Sequence, residues 1–146
     1  MKTIKVAFID EIPKDYTGIV KYVRGDKYWY LNGKVHRVDG PAAEWSNGDK
    51  YWYLNGERHR EDGPAIEWAN GTKIWYLNGN LHRIDGPACE YVIGTKEWWL
   101  NGKRHRIDGP AIEWNNGNKT YFINDEEVTK EAQEVLYAMY KLKGIL

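Results

Sequence analysis

One spacing constrains this chain more than anything else in it. WYLNG stands at 29–33, again at 52–56 and 75–79, as WWLNG at 98–102 and in worn form as YFIND at 121–125, each copy 23 residues after the last. A fixed period of this size marks a repeat architecture: one unit cannot bury its own apolar face, so stacked neighbours supply the core. The register reaches back before the first clear copy, because Gly25 holds the slot of Gly48, Gly71, Gly94 and Gly117.

Each unit carries two Asn-Gly signals, as at Asn32-Gly33 and Asn47-Gly48, and such pairs between strand-forming residues predict two-residue type I′ hairpins. The first then pairs Leu31 with Lys34, Tyr30 with Val35, Trp29 with His36 and Tyr28 with Arg37. The second pairs Trp45 with Lys50, Glu44 with Tyr51, Ala43 with Trp52 and Ala42 with Tyr53. Alternation sorts the side chains onto two faces. Trp52, Leu54, His59 and Trp45 fall with the small or aliphatic slot of Ala43, Ile66, Cys89 and Ile112. Tyr51, Tyr53, Arg60 and Glu44 fall on the opposite face, which is expected to meet solvent. Between the hairpins runs HRxDGPA, at 36–42, 59–65, 82–88 and 105–111. Proline has no amide hydrogen and favours extended geometry before it, so a bulge or bend is predicted there.

The ends differ from the repeats. Ile4, Val6 and Phe8 alternate, which predicts a strand over 3–9, and Pro13-Lys14-Asp15 reads as a loop. Towards the C-terminus, Thr129 can cap a helix in which Ala132, Val135, Leu136, Met139 and Tyr140 keep helical spacing up to Gly144. Such a helix is expected to cover the last strand edge, with docking onto a partner as the alternative. The division is therefore a single domain over 1–146: an N-terminal strand and loop at 1–15, repeats at 16–125 and a helix at 129–143.

Lys plus Arg and Asp plus Glu both number 21, so no bulk charge draws the chain to a membrane or to sequence-specific nucleic-acid binding. The lone Cys89 cannot make an internal disulfide, and Asp10 and Glu11 interrupt the first apolar run, so a cytoplasmic protein is expected. Arg24-Gly25-Asp26 occupies the second-turn slot and reads as turn chemistry, not as an adhesion signal. The sequons at Asn70 and Asn118 read as turn residues as well.

All 4 histidines are His36, His59, His82 and His105, and a 23-residue spacing spreads them along the array, where they cannot converge on one metal. A structural pairing of each with a tryptophan is expected. Arg37, Arg60, Arg83 and Arg106 could form an anion-binding stripe. Structural pairing with Asp39, Asp62, Asp85, Asp108 and the Glu44 series is the simpler reading, with Tyr28 and Tyr51 stacked against Arg37 and Arg60. No nucleophile, phosphate loop or carboxylate dyad stands out, so neither an enzyme nor a cofactor is expected. Departures from the repeat are the better clue. Tyr91-Val92-Ile93 replaces Trp-Asn-Asn, Cys89 takes the aliphatic slot, and Glu97 and Trp99 stand where tyrosines stood. The candidate binding residues are Tyr53, Arg60, Tyr76, Arg83, Tyr91, Trp99 and Arg106, a face suited to a protein partner. A small nucleotide ligand held by stacking and charge is the second option, and a homo-oligomer a further one.

The period and the stretch Asn101-Gly102-Lys103-Arg104-His105 resemble MORN repeats and their bacterial variants, over about residues 16–125. The resemblance implies an all-β repeat protein, an elongated twisted antiparallel sheet of successive hairpins, here with a capping C-terminal α-helix. The DGPA version is also similar to repeats in bacteriophage and bacterial proteins, some described as antitoxin-like. That likeness implies a phage or bacterial inhibitor of a host factor, or an antitoxin-like immunity protein.

Overall fold

The computed structural model describes residues 1–146 as an all-β repeat structure of short strands closed by one C-terminal helix, Lys130–Leu142. Contacts gather into two compact units, Met1–Asn80 and Leu81–Leu146. In the first, strands Thr3–Val6, Gly18–Tyr22, Lys27–Leu31, Ala43–Glu44, Lys50–Tyr51, Ile66–Glu67 and Lys73–Ile74 lie side by side in that order. In the second the order is Cys89–Glu90, Lys96–Glu97, Ile112–Glu113, Lys119–Ile123 and Glu126–Val128. The pairing is antiparallel with one correction to the expected all-antiparallel sheet. Thr3–Val6 runs parallel to Gly18–Tyr22, because the loop that includes the short helix Ile9–Glu11 carries the chain back to the starting end.

The first Asn-Gly turn folds as expected. Asn32 and Gly33 both take positive φ, 49° and 75°, the type I′ pair whose twist matches the flanking strands. Tyr30 lies opposite Val35 and Leu31 opposite Lys34. His36 N–H donates to the Trp29 carbonyl at 2.9 Å. The ladder then ends: Tyr28 faces Ala43 instead of Arg37, and Arg37 N–H turns to the Tyr53 carbonyl of the next unit. In the worn copy Asp125 fills the glycine slot at φ 69°, and its carboxylate accepts the Arg104 N–H at 2.8 Å.

The second turn corrects the expected register by one residue. Gly48 N–H donates to the Trp45 carbonyl, and Trp45 N–H to the Asp49 carbonyl, both at 2.9 Å. Ser46, Asn47 and Gly48 therefore form a three-residue loop, and only Gly48 of the Asn-Gly pair has positive φ. Glu44 consequently faces Lys50, and Ala43 faces Tyr51. A slip of one residue exchanges the faces. Tyr51, not Trp52, joins Ala43 and Ile66 in the core, and Ile74 takes the same slot. Trp52 and Leu54 are half-buried and Trp45 is partly exposed, so the expected core face of Trp45, Trp52 and Leu54 does not form, and among the repeat tryptophans Trp29 alone is buried. The expected solvent face of Tyr51, Tyr53, Arg60 and Glu44 dissolves too, since Tyr51 is buried.

At the N-terminal end Val6, Tyr16, Val20 and Tyr22 make the core, with Ile4, Ile12, Tyr28 and Tyr30 packed on it. Further along, Ala42, Ala65, Ala88 and Ala111 are fully buried, because each sits where the next unit's strand passes: Ala42 N–H, for example, donates to the Tyr51 carbonyl at 2.8 Å. The helix begins at Thr129, whose side chain accepts from Ala132 N–H at 3.1 Å, as the capping residue predicts. It lies against Lys119–Ile123, but it is rotated from the expected orientation. Gln133, Leu136, Tyr137 and Tyr140 turn inward, while Ala132, Val135 and Met139 are exposed. The Gln133 side chain donates to the Ile107 carbonyl, which satisfies two polar groups under the helix, and the tyrosines contribute more contact area than valine would. No helix is long and apolar enough to cross a membrane.

Ile66 is 4% exposed and lies opposite both Tyr51 and Ile74. Ile66→Ala is expected to cost about 2–4 kcal/mol, read as a lower urea midpoint. An unchanged midpoint would remove the core slot.

Candidate functional site

The HRxDGPA segment turns out to be a set of interlocking internal bonds. His36 Nδ1 accepts the Asn55 N–H of the following turn at 3.0 Å, and His59 does the same for Asn78 at 3.1 Å. In the second unit His82 holds Asn101 and His105 holds Asn124. Each imidazole thus satisfies a turn amide one repeat on, a role beyond the expected pairing with tryptophan.

Arginine is the centre of the loop. The Arg60 guanidinium stacks on Trp52 at 4.1 Å, Arg37 on Trp29 at 4.1 Å and Arg106 on Trp98 at 4.0 Å. This corrects the expected stacking on Tyr28 and Tyr51: the first ladder ends before Arg37 reaches Tyr28, which faces Ala43, and the slip at the second turn takes Tyr51 into the core. Arg60 Nε donates to Asp62 at 2.8 Å, and Nη1 donates to the Pro64 carbonyl at 3.2 Å and to Glu67 at 3.0 Å. Arg83 and Arg106 repeat the set with Asp85 and Glu90, and with Asp108 and Glu113. Glycine at position 63 is required by this packing: a Cβ there would come within 2.9 Å of Arg60 Cζ. The arginines are therefore committed to the fold, and each Asp is held by a short charged bond. Hydrogen bonding from Arg37, Arg60 and Arg83, reinforced by their charge, lowers the Asp39, Asp62 and Asp85 carboxyls below the ordinary carboxylate range.

Two open grooves lie beside these loops. The first, of about 600 Å3, runs between Arg37-Val38-Asp39-Gly40 and Arg60-Glu61-Asp62 over Trp52, Leu54 and His59. The second, of about 590 Å3, repeats this arrangement in the C-terminal unit over Trp98, Leu100 and His105. Their rims carry exposed carboxylates, since Asp39, Asp62 and Asp85 project outward from their arginines.

The candidate residues separate into several groups. Arg60 lines the first groove, and Arg83 and Arg106 line the second. Tyr53 and Tyr76 are half-buried and share Arg58, which lies opposite Tyr53 across the hairpin and places its guanidinium over the Tyr76 ring at 5.3 Å. Tyr91 and Trp99 belong to a polar cluster around Glu97. That glutamate takes the core slot held by Tyr51 and Ile74 in the first unit, opposite Cys89 and Ile112. Its carboxylate accepts from Trp99 Nε1 at 2.9 Å and lies 3.7 Å from Arg104 Nε, and Arg104 stacks on Trp99 at 4.6 Å. Burial and the Glu97 charge push the Cys89 thiol up to about 12, which leaves it an inert packing group at neutral pH. Burial, then the neighbouring Cys89 and Glu97 charges, also raise the Tyr91 phenol.

The turn at 91–95 keeps the backbone bonds of the other second turns, Tyr91 N–H to the Thr95 carbonyl and Gly94 N–H to the Tyr91 carbonyl, and departs from them in one side chain. In the other second turns Asn47, Asn70 and Asn116 accept the N–H two residues on, at 3.0, 2.9 and 3.0 Å. Ile93 stands in that slot and cannot accept, and it is 65% exposed beside Val92 at 58%. Asn115 N–H donates to Thr95 Oγ1 at 3.2 Å, which sets the next turn, with its partly exposed Trp114, alongside. The sequence marked Val92 and Ile93 as irregular, but an apolar residue in an Asn slot was the stronger signal. No protein-family model matches the chain, and comparison with curated proteins returns no relative.

Asp62 supplies a pH test of the arginine network. A carboxyl lowered in the folded state stabilises the fold above its ordinary range, and that contribution is lost as pH falls through the lowered value. Asp62→Asn is therefore expected to lower the urea midpoint at neutral pH, with the gap to the parent closing as the pH falls through and below the ordinary carboxylate range. A gap of constant size over that range would mean that the Asp62 charge contributes nothing.

Proposed function

We propose that the chain is a non-enzymatic binding module that engages a protein partner, with the turn Tyr91-Val92-Ile93 of its C-terminal unit at the centre of the contact. The observation that carries this reading is Ile93. It gives up a turn hydrogen bond that asparagine makes elsewhere, and it places an apolar side chain in water. A residue that breaks the local rule with no structural return is the kind retained for binding. Val92 and Trp114 extend the apolar surface, and an aromatic beside aliphatics suits a protein hot spot.

The rest of the repeat favours binding over catalysis. Arg60, Arg83 and Arg106 are occupied by carboxylates and by proline carbonyls, and the ring nitrogen of each histidine holds a turn. A nucleotide phosphate entering the first groove would meet Asp39, Glu61 and Asp62 on the rim and would have to displace one from its arginine. Charge thus opposes the small-nucleotide reading. Assignment to a MORN-like family, and a role as a phage or bacterial inhibitor or antitoxin-like protein, belong to this proposal through the repeat motif alone.

Ile93→Asp combined with Val92→Ser is expected to keep the melting temperature within a few degrees, because both residues are more than half exposed, and to weaken the partner complex by at least about tenfold, or roughly 1.4 kcal/mol. Crosslinking from the Ile93 position in native extract identifies the partner, and titration of parent and variant measures the loss. Equal affinity of the two would move the contact elsewhere.

A further inference from the structure

The C-terminal helix is apolar on both sides. Its inner side carries buried Gln133 and half-buried Leu136, Tyr137 and Tyr140. At about 100° per residue, Val135, Met139 and Leu142 fall together on the opposite side, where they are 60%, 45% and 88% exposed. Exposed Ile145 and Leu146 follow directly. A surface helix normally gives its outer side to polar groups, so a second apolar stripe calls for a second contact.

The charges beside the stripe say what fits it. Glu131 and Glu134 lie in the N-terminal part of the helix, Lys141 and Lys143 at its C-terminal end. If two copies of this helix lie antiparallel about a two-fold axis near Tyr137, Val135 of one meets Met139 of the other. Glu134 then falls beside Lys141 on the same flank. Parallel pairing would set carboxylate against carboxylate at one end and ammonium against ammonium at the other. An isologous interface requires a patch complementary to itself, and this stripe meets that condition in one orientation only. Lys130 pairs with Glu134 within the helix at 3.6 Å, both well exposed, a contact weak enough to yield to the intermolecular one.

We propose that the outer stripe of helix Lys130–Leu142 is the docking surface for a second copy of this chain, joined as an antiparallel helix pair. One helix side is smaller than the roughly 800 Å2 per partner of a standard interface. The dimer is accordingly concentration-dependent and separate from the Ile93 surface.

Sedimentation velocity on the full chain, from about 1 µM to about 500 µM, tests this. The parent is expected to pass from monomer to dimer within that range. Met139→Glu, at an exposed position, is expected to keep its melting temperature and to raise the dissociation constant at least about tenfold. Glu134→Lys and Lys141→Glu should each weaken the dimer, and the two together should restore it. A parent that stays monomeric throughout, or a dimer that Met139→Glu leaves intact, overturns the proposal. Failure of the double charge exchange to restore pairing overturns the antiparallel register.

Discussion

A guanidinium lying on an indole organises the repeat loops at Arg37, Arg60 and Arg106. Arg60 on Trp52, held from its edges by Asp62, the Pro64 carbonyl and Glu67, fixes the loop that connects one hairpin to the next. Short two-residue strands contribute few ladder bonds of their own, so they depend on these connections for their placement. The motif becomes legible residue by residue. Histidine satisfies the next turn, arginine covers the indole, aspartate orients the arginine, and glycine leaves room for it. Proline supplies a carbonyl, and alanine fits where the following strand passes.

This economy shapes what the protein can do. Side chains that would serve catalysis or anion binding in another setting are saturated by neighbours, and the repeating loops leave grooves with acidic rims. Both proposed contacts accordingly fall where the repeat fails: the apolar tip at Val92-Ile93 and the outer side of the C-terminal helix. The Glu97 cluster is a third failure of a different kind. There a charge in a core slot is matched by Trp99 and Arg104, so it is absorbed into the fold.

Much of the architecture was legible in the sequence, because a 23-residue period and paired Asn-Gly turns leave few alternatives. The first hairpin register follows directly, since Asn32 and Gly33 both accept positive φ. The second does not, because Asn-Gly serves equally in a three-residue loop where only glycine turns left-handed. The discriminating signal was the residue after the glycine: Asp26, Asp49 and Thr95 each accept an N–H from the neighbouring turn, which requires that side chain at the loop's end. The three-residue loop moves that pairing by one residue, which places Tyr51 inside and leaves Trp52 to the arginine. Gln133 was unreadable for another reason. A polar residue on an inner helix side makes sense only once the Ile107 carbonyl beneath it is known.

A double-mutant cycle on Arg60→Ala and Trp52→Leu tests the organising contact most directly, with urea unfolding of the parent, both single variants and the double variant. Stacking as described predicts single losses that fail to add, with a coupling of about 1–2 kcal/mol. Strict additivity of the two losses would contradict it, and would leave the carboxylates and the proline carbonyl as all that holds the loop.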